Sequence, residues 1–437
     1  MRFGSFLKSS LLPVMCLALL ATAVIAQADS DDAPPGYITA QPHDPAARLQ
    51  EQLDAGKTKL DYDARFGYLP ALLKSLKIPT SSQGLVFSRT SFQRTLISPH
   101  NPRALYFNDD SYVGYVPGGS VVEVATMDPR LGTVFYTLDQ HKSAKPKLVR
   151  QTYECMQCHQ SGATNHVPGL LLRSVYPDLA GDPILTAGTF ASNEQSPICQ
   201  RWGGWYVTGK CGRQTHMGNV TCSDEEHPDK TDFAPTSNLT TLDKRVDRSA
   251  YLRDSSDAAA LMVLAHQTHL HNLMTAANYE VQSALRDSDA MNAALHQPPG
   301  ERSEGTMRRI HGACEPVVRA MLFCGEAKLS DPITGTTEFA RDFAAPGPRD
   351  SLGRSLRDID LTHRLFKYPC SYLIYSEQFD GLPAVAKQCI YRRLWQVLTG
   401  REDDPAFDCL AEADRNAVMQ ILRETKKDLP EDWKAKD

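Results

Sequence analysis

Residues 155 to 159 read Cys-Met-Gln-Cys-His, and no other stretch restricts the folding of this chain as strongly. Two thiols separated by two residues have the reach to add across the two vinyl groups of a haem, and the histidine that follows is placed to meet the iron. A segment that does this folds around a large flat apolar group rather than around its own side chains. Thirteen histidines and the ten cysteines beyond Cys16 would produce such a pentapeptide by chance only about 0.01 times in a chain of this length.

Two other uses of paired cysteines fit less well. A thioredoxin-like redox pair follows a hydrophobic strand, and Gln151-Thr152-Tyr153-Glu154 is not one. A zinc ribbon needs a second Cys-x-x-Cys, and there is none. The N-terminus points the same way as the motif. Arg2 and Lys8 precede an apolar run from Leu11 to Ile25, and Ala26-Gln27-Ala28 has the small-x-small form of a signal-peptidase site. Residues 1–28 therefore read as a cleaved export signal, and covalent haem is assembled outside the cytoplasm. An uncleaved anchor is disfavoured by the shortness of the run and by Pro13, and a lipoprotein anchor at Cys16 by Pro13-Val14-Met15 before it. No later run is long enough to span a bilayer. Removing the signal and its two cations takes the formal charge from -5 to -7. With no basic run to follow a phosphate backbone, nucleic acid is excluded as a partner.

The remainder reads as an α+β chain: a β-meander in the N-terminal half, a Cys-rich haem-binding loop region, and a mainly α-helical C-terminal half. An acidic leader with short helices occupies 29–83. Across 84–150, the runs LVFS, ALYF, YVGYV, SVVEVAT and GTVFYTL are separated by Asn108-Asp109-Asp110, Pro117-Gly118-Gly119 and Asp128-Pro129, the pattern of an antiparallel meander. Residues 151–243 are rich in Gly, Pro and Cys with little periodicity, and form the haem-binding region. In 244–437, Ser255-Ser256-Asp257 caps a helix from Ala258 to about Leu285. Further helices are expected over 315–323, 368–376, 383–399 and 411–426, with Gly325 and Gly400 at C-terminal caps. The stretches 297–305 and 331–355 read as surface connections.

At Cys155, Cys158 and His159 the sequence resembles the c-type cytochromes. The resemblance implies thioether links from the two cysteines to one haem c, His159 as the fifth iron ligand, and the Pro168 carbonyl as acceptor for the other ring N–H of His159. It stops there, since the glycine-aromatic helix expected before the motif in small cytochromes is missing. Arg201–Tyr206, Thr215–Asn219 and Arg364–Glu377 look like segments of large exported bacterial proteins with a single haem motif, a likeness that brings no activity with it.

The sixth iron position has three candidates. Met217 lies 58 residues after His159, a separation at which small cytochromes supply a methionine, and Gly218 beside it allows close backbone approach. Its plainer alternative is a packed methionine. His216 competes with it. His266 shares a helical face with Val263, Leu270, Leu273, Met274, Ala277 and Val281, where a hydrogen-bonded core histidine is the plainer alternative; His269 and His271 fall on the flanks of that face.

Eight cysteines remain beyond the motif, enough for four disulfides in an oxidising compartment. Cys314 and Cys324, about 15 Å apart along one helix, are too far apart to join. Cys370, Cys389 and Cys409 lie on or beside C-terminal helices, which they staple to each other or to the helix over 315–323. The sequons at Asn219 and Asn238 read as coincidence in a bacterial export pathway. Two functions from different classes follow from the resemblance. One is a monohaem carrier that passes single electrons in the periplasm, to or from a redox partner protein or a small-molecule donor or acceptor. The other is a haem enzyme, peroxidase- or oxidase-like, with an open sixth iron site; a haem-based sensor is the non-redox alternative.

Overall fold

The computed structural model describes residues 36–401 and 403–433. The export signal at 1–28 lies outside the described residues, as does the leader up to residue 35. The described chain forms two units. Residues 36–41 make a turn closed by Ala40 N–H on the Gly36 carbonyl at 2.9 Å. All that follows concerns the unit beginning at Pro42.

Alternation of apolar and polar residues builds the sheet. After helices α1 (Pro45–Asp54) and α2 (Leu69–Ser75) come β1 (Gly84–Val86), β2 (Arg103–Phe107), β3 (Ser111–Tyr115), β4 (Val121–Asp128), β5 (Gly132–Asp139) and β6 (Leu148–Gln151). They pair antiparallel in chain order, as the sequence leads one to expect. The turns carry their own chemistry. Asn108 Oδ1 accepts from the N–H groups of Asp110 and Ser111 at 3.1 and 2.9 Å, and Asp128 Oδ1 from those of Arg130 and Leu131 at 2.8 Å.

The register sorts the side chains into two faces. Ala104, Tyr106, Val113, Val122, Val124, Val134, Tyr136 and Leu138 are buried on one of them, beneath α1. Asp44 ties α1 down there: its carboxylate caps the helix at Ala46 and Ala47 and accepts from Thr126 Oγ1 and Tyr136 OH, both at 2.6 Å. The other face carries two rows, Leu105-Gly114-Glu123-Thr137-Val149 and Phe107-Tyr112-Ala125-Phe135-Gln151. Phe107, Tyr112 and Phe135 are buried, whereas Leu105, Glu123, Ala125 and Thr137 are only partly covered.

The motif lies on a single helical turn, α3 (Met156–His159). Short strands β7 (Arg173–Val175) and β8 (Thr189–Ala191) pair with each other, and β9 (Trp205–Tyr206) adds a seventh strand to the main sheet beside β1, where the sequence suggested only loops. Strand β10 (Gly209–Lys210) pairs with β11 (Thr334–Gly335).

Helix α4 (Ala258–Ala294) is capped by Asp257 as expected and runs on well past Leu285. Along its first three turns it is buried on every side, and His271, expected on a flank, is fully enclosed. Helix α5 (Glu304–Met321) starts at a Ser303 cap, eleven residues before the expected start, and passes through Pro316. Burial of Ile310, Cys314, Val317, Val318 and Met321 along one stripe outweighs the break that Pro316 signals. Then come α6 (Phe339–Ala344), α7 (Glu377–Asp380), α8 (Ala384–Leu398) and α9 (Glu412–Thr425). The helix expected over 368–376 is a 3₁₀ turn at Tyr372–Tyr375 leading into α7. Gly325 and Gly400 take left-handed φ angles of 77° and 70° as caps require. The fold class is α+β. Among the described residues, no helix is long and apolar enough to cross a membrane.

Candidate functional site

The site starts from one turn of backbone. His159 N–H bonds to the Cys155 carbonyl at 2.9 Å, so Cys155 and Cys158 lie three apart on a helical turn and project to the same side. Beyond α3 the chain folds back on itself. Gly169 N–H reaches the His159 carbonyl at 2.9 Å, and His159 Nδ1 reaches the Gly169 carbonyl at 2.8 Å. A carbonyl only accepts, so Nδ1 carries the ring proton and Nε2 presents its lone pair. Among the described residues, nothing hydrogen-bonds Nε2. The acceptor is thus Gly169 and not Pro168 as the resemblance implied; the Pro168 carbonyl instead accepts Thr133 N–H at 3.2 Å.

The loop from 159 to 169 is held at several points. Thr164 Oγ1 donates to the Val167 carbonyl at 2.9 Å and accepts Ser161 N–H at 3.0 Å, and Asn165 and His166 both take left-handed backbone. Asn272 on α4 then clamps the next residue, with Nδ2 on the Leu170 carbonyl at 2.7 Å and Oδ1 accepting Leu170 N–H at 2.8 Å. A β-carbon at Gly169 would stand 2.5 Å from Asn272 Oδ1, so only glycine lets the loop approach α4 this closely. The His159 ring packs against Phe135 at 4.7 Å between centroids, which sets it over the partly covered face of the sheet.

Charge at the site comes from strands. Arg103 lies across Gly114, where a β-carbon would meet the guanidinium at 2.2 Å, and its Nη2 pairs with Glu123 Oε2 at 2.6 Å. Arg103 Nε is buried and has no hydrogen-bond partner. Burial pushes the His159 pKa down, with Arg103 and Arg173 adding to the effect, and this keeps the imidazole neutral. Burial, followed by the Glu123 carboxylate, raises the Cys155 thiol to about 11. That is the opposite of the lowered thiol a thioredoxin-like pair needs.

These features fit a covalently attached haem. Two thiols share one side of a turn, a neutral imidazole offers Nε2, and a buried guanidinium nitrogen lacks an acceptor that a porphyrin carboxylate would supply. Apolar groups beside them remain open: Tyr153 is 64% exposed and Val149 49%. Among the described residues, no group of three or more His, Cys, Asp or Glu is placed to hold a bare metal ion.

The three candidates for the sixth position have other partners. Met217 is buried, and its sulfur accepts from Ser174 Oγ at 3.6 Å. His216 Nδ1 accepts Gly218 N–H at 3.0 Å, its ring meets Trp202 edge-on, and burial lowers its pKa to about 4. His266 Nε2 bonds Ser371 Oγ at 2.8 Å, its Nδ1 lies 3.6 Å from Glu194 Oε2, and its ring packs on Phe323. His269 Nδ1 also reaches Glu194, at 2.9 Å. None of these partners is among the groups that surround His159. The structure therefore brings together Cys155, Cys158 and His159 and adds Gly169, Asn272, Phe135, Arg103 and Glu123, which the sequence reading missed. A signal for the last two was present: each is a lone charge inside an alternating strand, Arg-Ala-Leu-Tyr-Phe and Val-Val-Glu-Val. Compared with known proteins, the chain matches no family model, no curated protein and no solved structure.

Proposed function

We propose that the protein is an exported monohaem c-type cytochrome that transfers single electrons in the periplasm. The observation that carries this reading is the hydrogen bond from His159 Nδ1 to the Gly169 carbonyl, because it leaves Nε2 of a neutral imidazole free beside two thiols on one turn. Cys155 and Cys158 would hold the group by thioether bonds, and His159 would ligate its iron. Haem c supplies a one-electron couple between ferrous and ferric iron. The chain's own groups do the rest. Gly169 orients the imidazole and raises its basicity, Phe135 packs against its ring, and Arg103 would neutralise a carboxylate of the bound group. The partner is a redox protein or a small-molecule electron donor or acceptor.

The test is expression of the full chain with the machinery that attaches haem to exported cytochromes. After boiling in denaturant, intact mass is expected to show one haem on the chain, and none after Cys155→Ala with Cys158→Ala. A wild-type chain without the adduct overturns the reading. A second reading, a haem enzyme with an open sixth iron site, is favoured by one observation: Met217 and His266 are already engaged by Ser174 and Ser371. Rapid binding of imidazole or cyanide by the haem-loaded protein supports the enzyme, and slow or absent binding supports the carrier.

A further inference from the structure

Eight cysteines lie outside the motif, and four of them meet in two pairs. Cys314 on α5 faces Cys389 on α8, and Cys324 just beyond α5 faces Cys409 just before α9, each pair close enough for one thiol to hydrogen-bond the other. Neighbouring contacts place them independently. Cys314 Sγ also lies 3.8 Å from the Ala386 carbonyl, one turn before Cys389 on the same helix. Cys324 N–H bonds to the Arg319 carbonyl at 2.9 Å, while the Arg319 guanidinium pairs with Asp404 and lies 5.6 Å from the Phe407 ring, in the segment that carries Cys409.

The register between these elements is fixed by charge as well. Glu315 accepts from Arg319 at 3.1 Å within α5 and from Arg393 of α8 at 2.9 Å, and Arg393 lies over Phe407 at 5.1 Å. This cage sits beside both cysteine pairs and holds their helices in one alignment. By contrast, the thiols of Cys211 and Cys370 are pushed up by burial alone.

We infer that Cys314–Cys389 and Cys324–Cys409 are intrachain disulfides in the exported protein, clamping α5 to α8 and to the segment leading into α9. In each, two thiols lose two protons and two electrons as the S–S bond forms. The acceptor is the disulfide of an exported thiol oxidant, which leaves as a dithiol. The attacking sulfurs are Cys389 and Cys409, the more accessible members of each pair, whose thiols the pairing makes more acidic. The inference needs the oxidising compartment implied by the export signal, and it is independent of haem.

The test is a non-reducing peptide map of the full chain, recovered after export and alkylated in acid before digestion. It is expected to yield one peptide joining Cys314 to Cys389 and one joining Cys324 to Cys409. Cys389→Ser is expected to make Cys314 alkylatable while the second bridge persists, and Cys409→Ser to do the same for Cys324. Recovery of all four as alkylated thiols from the wild type, or their bridging to other cysteines, overturns the assignment whether or not the variants fold.

Discussion

Asn272→Ala tests whether α4 sets the position of His159, the iron ligand proposed above. The substitution removes the donor to the Leu170 carbonyl and the acceptor for Leu170 N–H, at 2.7 and 2.8 Å, and leaves both backbone groups buried without a partner. An orphaned buried group costs about 1–3 kcal/mol. Water entering from the partly open sheet face recovers some of this, so a loss of about 2–4 kcal/mol is expected, read from urea denaturation as a lower midpoint at unchanged slope. Asn278→Ala is the scale: it leaves one buried carbonyl, that of Arg130 at 2.8 Å, without its donor, while the other group it releases, Gln282 Nε2, is a part-buried side chain that water can reach, so about half the loss is expected. Asn272→Asp keeps the acceptor and loses the donor, and falls between them.

The same change reaches His159. Leu170 follows Gly169 directly, so loosening it weakens the bond from His159 Nδ1, makes the imidazole a poorer electron donor and raises the potential of the haem-loaded protein. A stability loss below about 1 kcal/mol with an unmoved potential would refute the idea that α4 positions the ligand through Asn272.

Two further outcomes are expected. Burial, reinforced by the Glu194 carboxylate, raises Glu326 to about 7. Folded protein then holds a proton that unfolded chain has released above its ordinary value near 4.3, so stability should fall as pH rises from about 4.5 to 7. Glu326→Gln should flatten that slope in denaturation curves and stabilise the protein at pH 8; an unchanged slope refutes the assignment. Met217→Ala should lower the thermal midpoint through a cavity worth about 2–5 kcal/mol and leave the haem spectrum as it was, because the sulfur is held by Ser174. Loss of a near-infrared sulfur-to-iron band would instead place Met217 on the iron.

Local signals made some parts of this molecule legible and non-local ones hid the rest. Period-two alternation and the turn residues of 84–150 locate the meander, and the Asp257 cap with helical spacing locates the start of α4. Residues 151–243 carry no period because they are mostly loops and single turns held by contacts with distant residues, and β9, two residues long, leaves no pattern to read. Pro316 is a local stop signal that tertiary burial overrides. Within the site, the motif announces itself, but its acceptor does not. Choosing between Pro168 and Gly169 depends on how the loop is set against distant elements, with Thr133 on β5 bonding the Pro168 carbonyl and Asn272 on α4 clamping Leu170 beside Gly169.

The buried polar residues of α4 explain why so much chain surrounds one short motif. Irregular backbone leaves donors and acceptors that sheets and helices would otherwise satisfy, and when buried they need side-chain partners. Gln267 donates to the Asn108 carbonyl at 2.6 Å, His271 Nε2 faces the Asp109 carbonyl at 2.9 Å, Asn272 pairs with Leu170, and Asn278 reaches Arg130. These bonds fasten one helix to the β2–β3 turn, to the β4–β5 turn and to the loop after the motif. Gly132, at φ 76°, completes the arrangement, since a β-carbon there would meet Thr275 of α4 at 2.3 Å. The helix thereby fixes Phe135 from the strand side and Gly169 from the loop side, the two groups between which the His159 ring is held. The motif itself sits on a single turn, and its rigidity is supplied from a distance by α4 and the elements that enclose it.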